Sequence, residues 1–88
     1  MKLAFSSQAW RDYQHWVAND RAVLTRVNAL IEECRRDPFR GTGKPEPLKN
    51  ELKGWWSRRI NLEDRLVYRV VGTAPNQTLE IAQCRFHY

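Results

Sequence analysis

Apolar and polar positions follow two different rhythms along this chain. From position 23 onward, Val23, Leu24, Val27, Leu30, Ile31 and Cys34 recur at i, i+1, i+4, i+7, i+8 and i+11, which is one face of an α-helix. Asn19 and Asp20 supply its cap. Asp37-Pro38 supplies its stop, because a residue before proline avoids the helical region. Glu32 and Arg36 stand i, i+4 near its end and predict an ion pair. Ahead of this helix, Trp10, Tyr13, Trp16 and Val17 keep helical spacing behind Ser6 and Ser7, two candidate caps. They predict a first helix that buries an aromatic stripe. The preceding KLAF, residues 2–5, reads as a short strand.

After Trp55 the rhythm changes. WWSRRIN, RLVYRVV and TLEIAQCRF are rich in β-branched and aromatic residues and read as strands, separated by turn residues at 61–64 and by GTAPNQ at 72–77. In the strand that starts at Arg65, the residues Arg65, Val67 and Arg69 share one face, and Leu66, Tyr68 and Val70 share the other. Between the two regimes lies FRGTGKPEPLKN, residues 39–50, with two glycines and two prolines in twelve positions, which reads as a loop. Pro45 and Pro47 fix φ on both sides of Glu46, and Leu48 and Leu52 are expected to pin the segment to the core. The order is β-α-α-β-β-β. It predicts an α+β fold, with two N-terminal helices packed on one face of a small twisted mixed or antiparallel sheet and the other face open. At 88 residues the chain is expected to be one domain, 1–88.

Composition sharpens this picture in three places. An apolar content of 42% with four Trp, three Tyr and three Phe excludes a disordered chain. The net charge of +5 is concentrated: from Arg35 to Arg59 there are eight basic residues against three acidic ones, while the rest of the chain balances at seven against seven. Such an excess fits an anionic partner, nucleic acid above all, or a solvated loop kept for solubility. Cys34 and Cys84 sit fifty residues apart in apolar patterns, where free cysteine acts as a small hydrophobe; a disulfide is possible but not indicated. Two isolated His and two isolated Cys make no metal site, and no cofactor is expected. The apolar run at the start, three residues, is too short for a signal peptide, and no segment approaches a membrane span, so a cytoplasmic location is expected.

Candidate chemistry then comes from few residues. Arg59, Arg65 and Arg58 would make one sheet face cationic and suit a phosphate, unless they pair with Glu51, Glu63, Asp64 or Glu80. Glu46, a lone carboxylate held between prolines among cations, is either an ordinary surface glutamate or a general base with fixed geometry. His87 can give or take a proton near neutrality, or be inert; His15 reads as a packing or surface residue. Together, Glu46 as base, Arg59 and Arg65 on phosphate and His87 as acid would suit RNA cleavage by the ribose 2′-OH, with Tyr88 adding a hydrogen bond or stacking on a base.

GKPEPLK, WSRRI, RLVY, a final C-R-aromatic-H-Y, the opening MKL before a Trp-containing helix and RR-x-PF at 35–39 occur in order from end to end. In these the chain resembles the YoeB branch of the RelE superfamily of bacterial toxins. The resemblance implies a microbial-ribonuclease-like fold and an endonuclease that cuts mRNA in the ribosomal A site. It also implies neutralisation by a YefM-like antitoxin with an acidic, flexible C-terminal part, and a homodimer. Carried onto this sequence, the general base falls on Glu46, the phosphate-binding arginine on Arg65, and the terminal pair on His87 and Tyr88, which are thereby expected to belong to the active site. Arg59 and Glu63 match supporting positions. Lys44, Lys49 and Arg58 belong to the basic segment that would bind ribosomal RNA and message. Two departures are visible: a longer connection at 71–77, and Phe86 where a tyrosine is expected. Three rival readings stand beside this one: a ribonuclease that needs no ribosome, a ribosome or nucleic-acid binder that inhibits by occupancy, and a ParE-like gyrase inhibitor, which would leave the Glu46 and His87 pair unexplained.

Overall fold

Side-chain caps open both helices. Ser6 Oγ accepts the Ala9 amide and starts α1 (Ser7–Asn19), and Asp20 Oδ1 accepts the Val23 amide and starts α2 (Arg21–Arg36). In this computed structural model, which describes residues 1–87, the strands are β1 (Lys2–Phe5), β2 (Glu46–Pro47), β3 (Trp56–Arg59), β4 (Arg65–Val71) and β5 (Thr78–Gln83). The sheet order is β1-β5-β4-β3-β2, with β1 parallel to β5 and every other pair antiparallel. The α+β layering read from the sequence, two helices on one face of a mixed sheet, is the observed one.

Several local expectations change. The segment 39–50 is not wholly loop: Glu46 and Pro47 pair with Ser57 and Trp56 as an edge strand, a place where a residue without an N–H is tolerated. Glu32 pairs with Arg35, 3.0 Å away, rather than with Arg36. The buried line of α1 is Ala9, Asp12 and Trp16, leaving Trp10 and Val17 each 52% exposed, because they lie a quarter-turn around the helix from that line. Leu48 is buried but Leu52 is exposed. The last strand ends at Gln83, not Phe86. A one-residue bulge at Ala82 lies between the pairs Val67–Gln83 and Tyr68–Ile81. It shifts the phase of alternation, so that Gln83 joins the open face and Cys84 turns into the core.

Paired residues of neighbouring strands share a face, which divides the sheet's side chains. Leu66, Tyr68, Leu79 and Ile81 meet Val27, Leu30, Ile31 and Cys34 of α2 and Ala9 and Trp16 of α1. Arg58 lies opposite Leu66, so it also points to the helix side, where it is fully enclosed. Its Nε donates to Tyr68 Oη (3.1 Å), its Nη2 to the carbonyls of Asp37 (2.6 Å) and Arg40 (2.7 Å), and its Nη1 to that of Thr42 (3.2 Å). Glu33 stands 3.2 Å from the same guanidinium and also accepts the Thr42 amide at 2.5 Å. Arg58 therefore cannot serve as the RNA-binding residue expected of it: its guanidinium is buried on the helix side and its donors are spent on the loop. Burial raises the Tyr68 phenol, against the opposing hydrogen bond from Arg58, so it stays protonated and donates to the Pro38 carbonyl (2.6 Å). Burial likewise pushes the Cys34 thiol up to about 11 and the Cys84 thiol up to about 12, which keeps both free cysteines protonated and unreactive.

Two stability tests follow from the Arg58 cluster. R58A leaves three carbonyls without their donor and removes the partner of the part-exposed Glu33 carboxylate, and should cost on the order of 3 kcal/mol, read as a lower urea midpoint at unchanged slope. R58K should recover only part of that, because an ammonium cannot span a hydroxyl and several carbonyls as a planar fork does. For Glu33, the Thr42 amide, opposed by desolvation and helped by Arg58, holds the carboxyl below its ordinary value. A depressed carboxylate stabilises the fold above the unfolded value near 4.3 and loses that contribution as pH falls through the folded one. E33Q should therefore be less stable than the native protein at pH 7, with the gap closing below about pH 4 in parallel melts.

Candidate active site

The open face of β3 begins the site. Ser57 and Arg59 alternate with Trp56 and Arg58, and through the pairing Ser57 stands opposite Glu46 on one side and Val67 on the other, while Arg59 stands opposite Arg65. Four residues from three strands thus reach one surface because register puts them there. Lys44 and His87 complete it. Together Lys44, Glu46, Ser57, Arg59, Arg65 and His87 line a polar cleft of about 150 Å³.

Each member is positioned by an identifiable contact. Gly43 at φ +86° lies against β3, where its carbonyl accepts the Arg59 amide at 2.6 Å; a Cβ there would come within 3.0 Å of the Arg59 carbonyl, so only glycine allows this approach. Lys44 follows, and its Nζ sits 3.4 Å from Glu46 Oε1 in an exposed pair. Arg65 Nη1 donates to the carbonyls of Asn61 (2.9 Å) and Asp64 (3.1 Å), which fixes the guanidinium at the cleft's edge.

His87 arrives from the opposite side, and the residues that hold its segment were not singled out by sequence reasoning. Buried Asp12 accepts the Cys84 amide (3.0 Å), and Trp16 Nε1 donates to the Cys84 carbonyl (2.8 Å). Asp64, also buried, accepts the Phe86 amide at 2.7 Å, and the Arg65 amide donates to the Phe86 carbonyl at 3.0 Å. Phe86 itself sits at φ +67°, a left-handed turn placed beside the cleft. The signal for Asp64 was its position beside Arg65; nothing local distinguishes it from a turn residue.

The remaining expected residues fall elsewhere. Lys49 is exposed in an adjoining hollow that shares Glu46 with the cleft. Glu63 lies in the 61–64 turn and faces a separate hollow beside Trp16 and Val23, so it does not meet the cleft; two residues before Arg65, it falls where the turn carries it away from the sheet. Ser57, buried at 4% exposure, is a member the sequence reading missed, although alternation with Arg58 would have placed it. Tyr88 lies outside the described residues. Among the described residues no cluster of three or more His, Cys, Asp or Glu could hold a metal ion, and no helix is long and apolar enough to cross a membrane.

A carboxylate, three cations and an imidazole around one small cleft can move protons and hold an anion. Residues 5–88 match the family model of the YoeB-like toxin of bacterial type II toxin–antitoxin systems. The toxin YoeB of Streptomyces coelicolor is 50% identical over 88 residues, covering all of both chains. A YoeB/ParE toxin structure from Agrobacterium tumefaciens superposes with a TM-score of 0.98 at 50% identity over the full length of both chains. The Staphylococcus aureus YoeB, 40% identical over all of this chain and 98% of that one, superposes at 0.88 as a dimer and at 0.87 in a heterotetrameric YoeB–YefM complex. With a matching family model over nearly its whole length and half its residues shared end to end, this chain belongs to the YoeB family of toxins of type II toxin–antitoxin systems.

Proposed function

We propose that this toxin is an endoribonuclease that cuts mRNA in the A site of the ribosome by general acid–base catalysis. The observation that carries the reading is the convergence of Glu46, Arg59, Arg65 and His87 on one cleft. Glu46 takes the proton of a ribose 2′-OH, and the oxygen attacks the adjacent phosphorus. Arg65, with Arg59 and Lys44, balances the charge that builds on the phosphoryl oxygens. The bond to the 5′-oxygen breaks as His87 delivers its proton there, leaving a 2′,3′-cyclic phosphate and a 5′-hydroxyl. Tyr88 belongs to this proposal as a hydrogen-bonding or base-stacking neighbour of His87. Each proton transfer has a side chain assigned to it. The segment-wide excess of five positive charges supports binding to ribosomal RNA and message, with log affinity falling linearly in log salt.

The proposed partners are a YefM-like acidic antitoxin, supported by the S. aureus complex, and a second copy of the chain, supported by the S. aureus dimer. The site of action is the cytoplasm, where ribosomes are. Primer extension on a message held by programmed ribosomes tests the reading. A discrete cut in the A-site codon, absent on naked RNA, is expected. Cutting of naked RNA would make it a ribosome-independent ribonuclease, and an intact but stalled message would make it an occupancy inhibitor.

E46A and H87Q should each lower the single-turnover cleavage rate by roughly 10²–10⁴, about 3–5 kcal/mol in barrier, with thermal melts unchanged because neither side chain is in the core. Full activity in both would remove their catalytic roles. Asp64 acts through the Phe86 amide, so D64A should slow cleavage on the order of 10- to 100-fold through misplacement of His87. D64N keeps an acceptor oxygen and should retain most of the rate. Equal loss in D64N and D64A would show that the charge, not the clasp, matters.

A further inference from the structure

Beyond the cleft, the same sheet face carries a second constellation. Arg69 lies two residues along β4 from Val67, and its Cζ sits 4.3 Å from the centroid of Trp55. Its Nε donates to Glu80 Oε1 at 2.7 Å, and Glu80 pairs in turn with Ala4 of β1. Trp55, Arg69, Glu80 and Ala4 thus form one row across the sheet, parallel to the Glu46–Ser57–Val67–Gln83 row, whose Glu46 and Ser57 line the cleft, and about 7 Å from it. The row borders a hollow of about 280 Å³ that Phe5 and Ser6 also line. Among the described residues no helix or strand packs over this face, and Trp55 is only half-buried.

We propose that Trp55, Arg69 and Glu80 form a subsite that stacks one unpaired base of the RNA strand lying in the cleft. This rests on the nuclease reading above. A guanidinium plane is a stacking surface for a base, and here it is backed by an indole and oriented by a carboxylate. Glu80 offsets the charge of Arg69, so the pair is a poor phosphate grip but remains a flat platform. The half-exposed Arg69–Glu80 ion pair contributes only about 0–1 kcal/mol to stability. The position of this row beside the one that gives Glu46 and Ser57 to the cleft, and the surplus of cations on the face (Lys44, Arg59, Arg65 and Arg69 against Glu46 and Glu80), favour a polyanion with π-faces over an acidic peptide. Glu80 has a second carboxylate oxygen, which accepts from a base amino group as glutamate does from cytosine. Cytosine, adenine and guanine carry such an amino group and uracil offers only its ring N3–H, so a contact to the amino group separates cytosine from uracil.

The test uses the full chain and labelled, fully 2′-O-methylated hexaribonucleotides, which cannot be cut, in fluorescence anisotropy. W55A and R69A should weaken binding roughly 5- to 150-fold, the range for losing one stacked base. W55F should keep most of it, and E80Q should narrow the preference for oligo-C over oligo-U. Circular dichroism melts confirm that each variant folds. Unchanged binding and unchanged base preference in W55A and R69A would overturn the proposal, as would an effect of these variants confined to association with the antitoxin. Cleavage on programmed ribosomes is measured in parallel. An uncut message with Trp55-dependent oligonucleotide binding would reject the nuclease reading and keep the subsite as a single-strand binder. A cut message with unaltered W55A and R69A would reject the subsite alone.

Discussion

The enclosed guanidinium of Arg58 is the constraint on which the rest of the structure depends. A buried charge is tolerated only where its partners are complete, and here a carboxylate, a phenol and three carbonyls supply them. Those carbonyls all come from residues 37–42, a stretch with no regular secondary structure. The cation therefore shapes the loop, and the loop then delivers Gly43, Lys44 and Glu46 to the edge of β3. A strand position that sends Arg58 inward sends its neighbours Ser57 and Arg59 outward. One four-residue strand thus supplies the anchor on one side of the sheet and the cleft floor on the other.

The opposite wall of the cleft is held by a separate set of contacts. Asp12 and Trp16 of α1 grip the backbone of Cys84, and Asp64 and the Arg65 amide grip that of Phe86. The bulge at Ala82 is what allows both, because it turns Cys84 inward after Ile81 without breaking the sheet. Glu46 and His87 reach the arginine pair from two independently anchored segments. A carboxylate and an imidazole thus enter one cleft from separately held parts of the chain.

Much of this was legible in the chain, for reasons that differ by element. The face of α2 and the caps at Ser6 and Asp20 announce themselves because helical periodicity and capping act within a few residues. The inward and outward sets of β4 follow from alternation in the same way. What could not be read depends on partners distant in sequence. Arg58 looks like any cation beside Arg59 until Tyr68 and residues 37–42 are seen around it. The edge strand at Glu46 and Pro47 has two residues and no pattern of its own, and exists only because Ser57 and Trp56 offer a ladder. Trp10 was misplaced because a helix with aromatic residues on several sides does not say which side meets the sheet. Of the cleft, Glu46, Arg59, Arg65, His87 and Lys44 were named in advance, while Glu63, Lys49 and Arg58 fall outside it.

The open face also explains why the anchor must be so complete. Lys44, Arg59 and Arg65 crowd one end of a small sheet, where the Glu46 carboxylate offsets only part of their charge, and a surplus of like charge opposes folding. A domain of this size has a thin core with little surplus to set against that repulsion. The stabilising contacts therefore lie on the face turned away from the cations, where burial keeps them out of solvent screening. The alternation of Arg58 and Arg59 along β3 sets these two demands back to back within a single peptide unit.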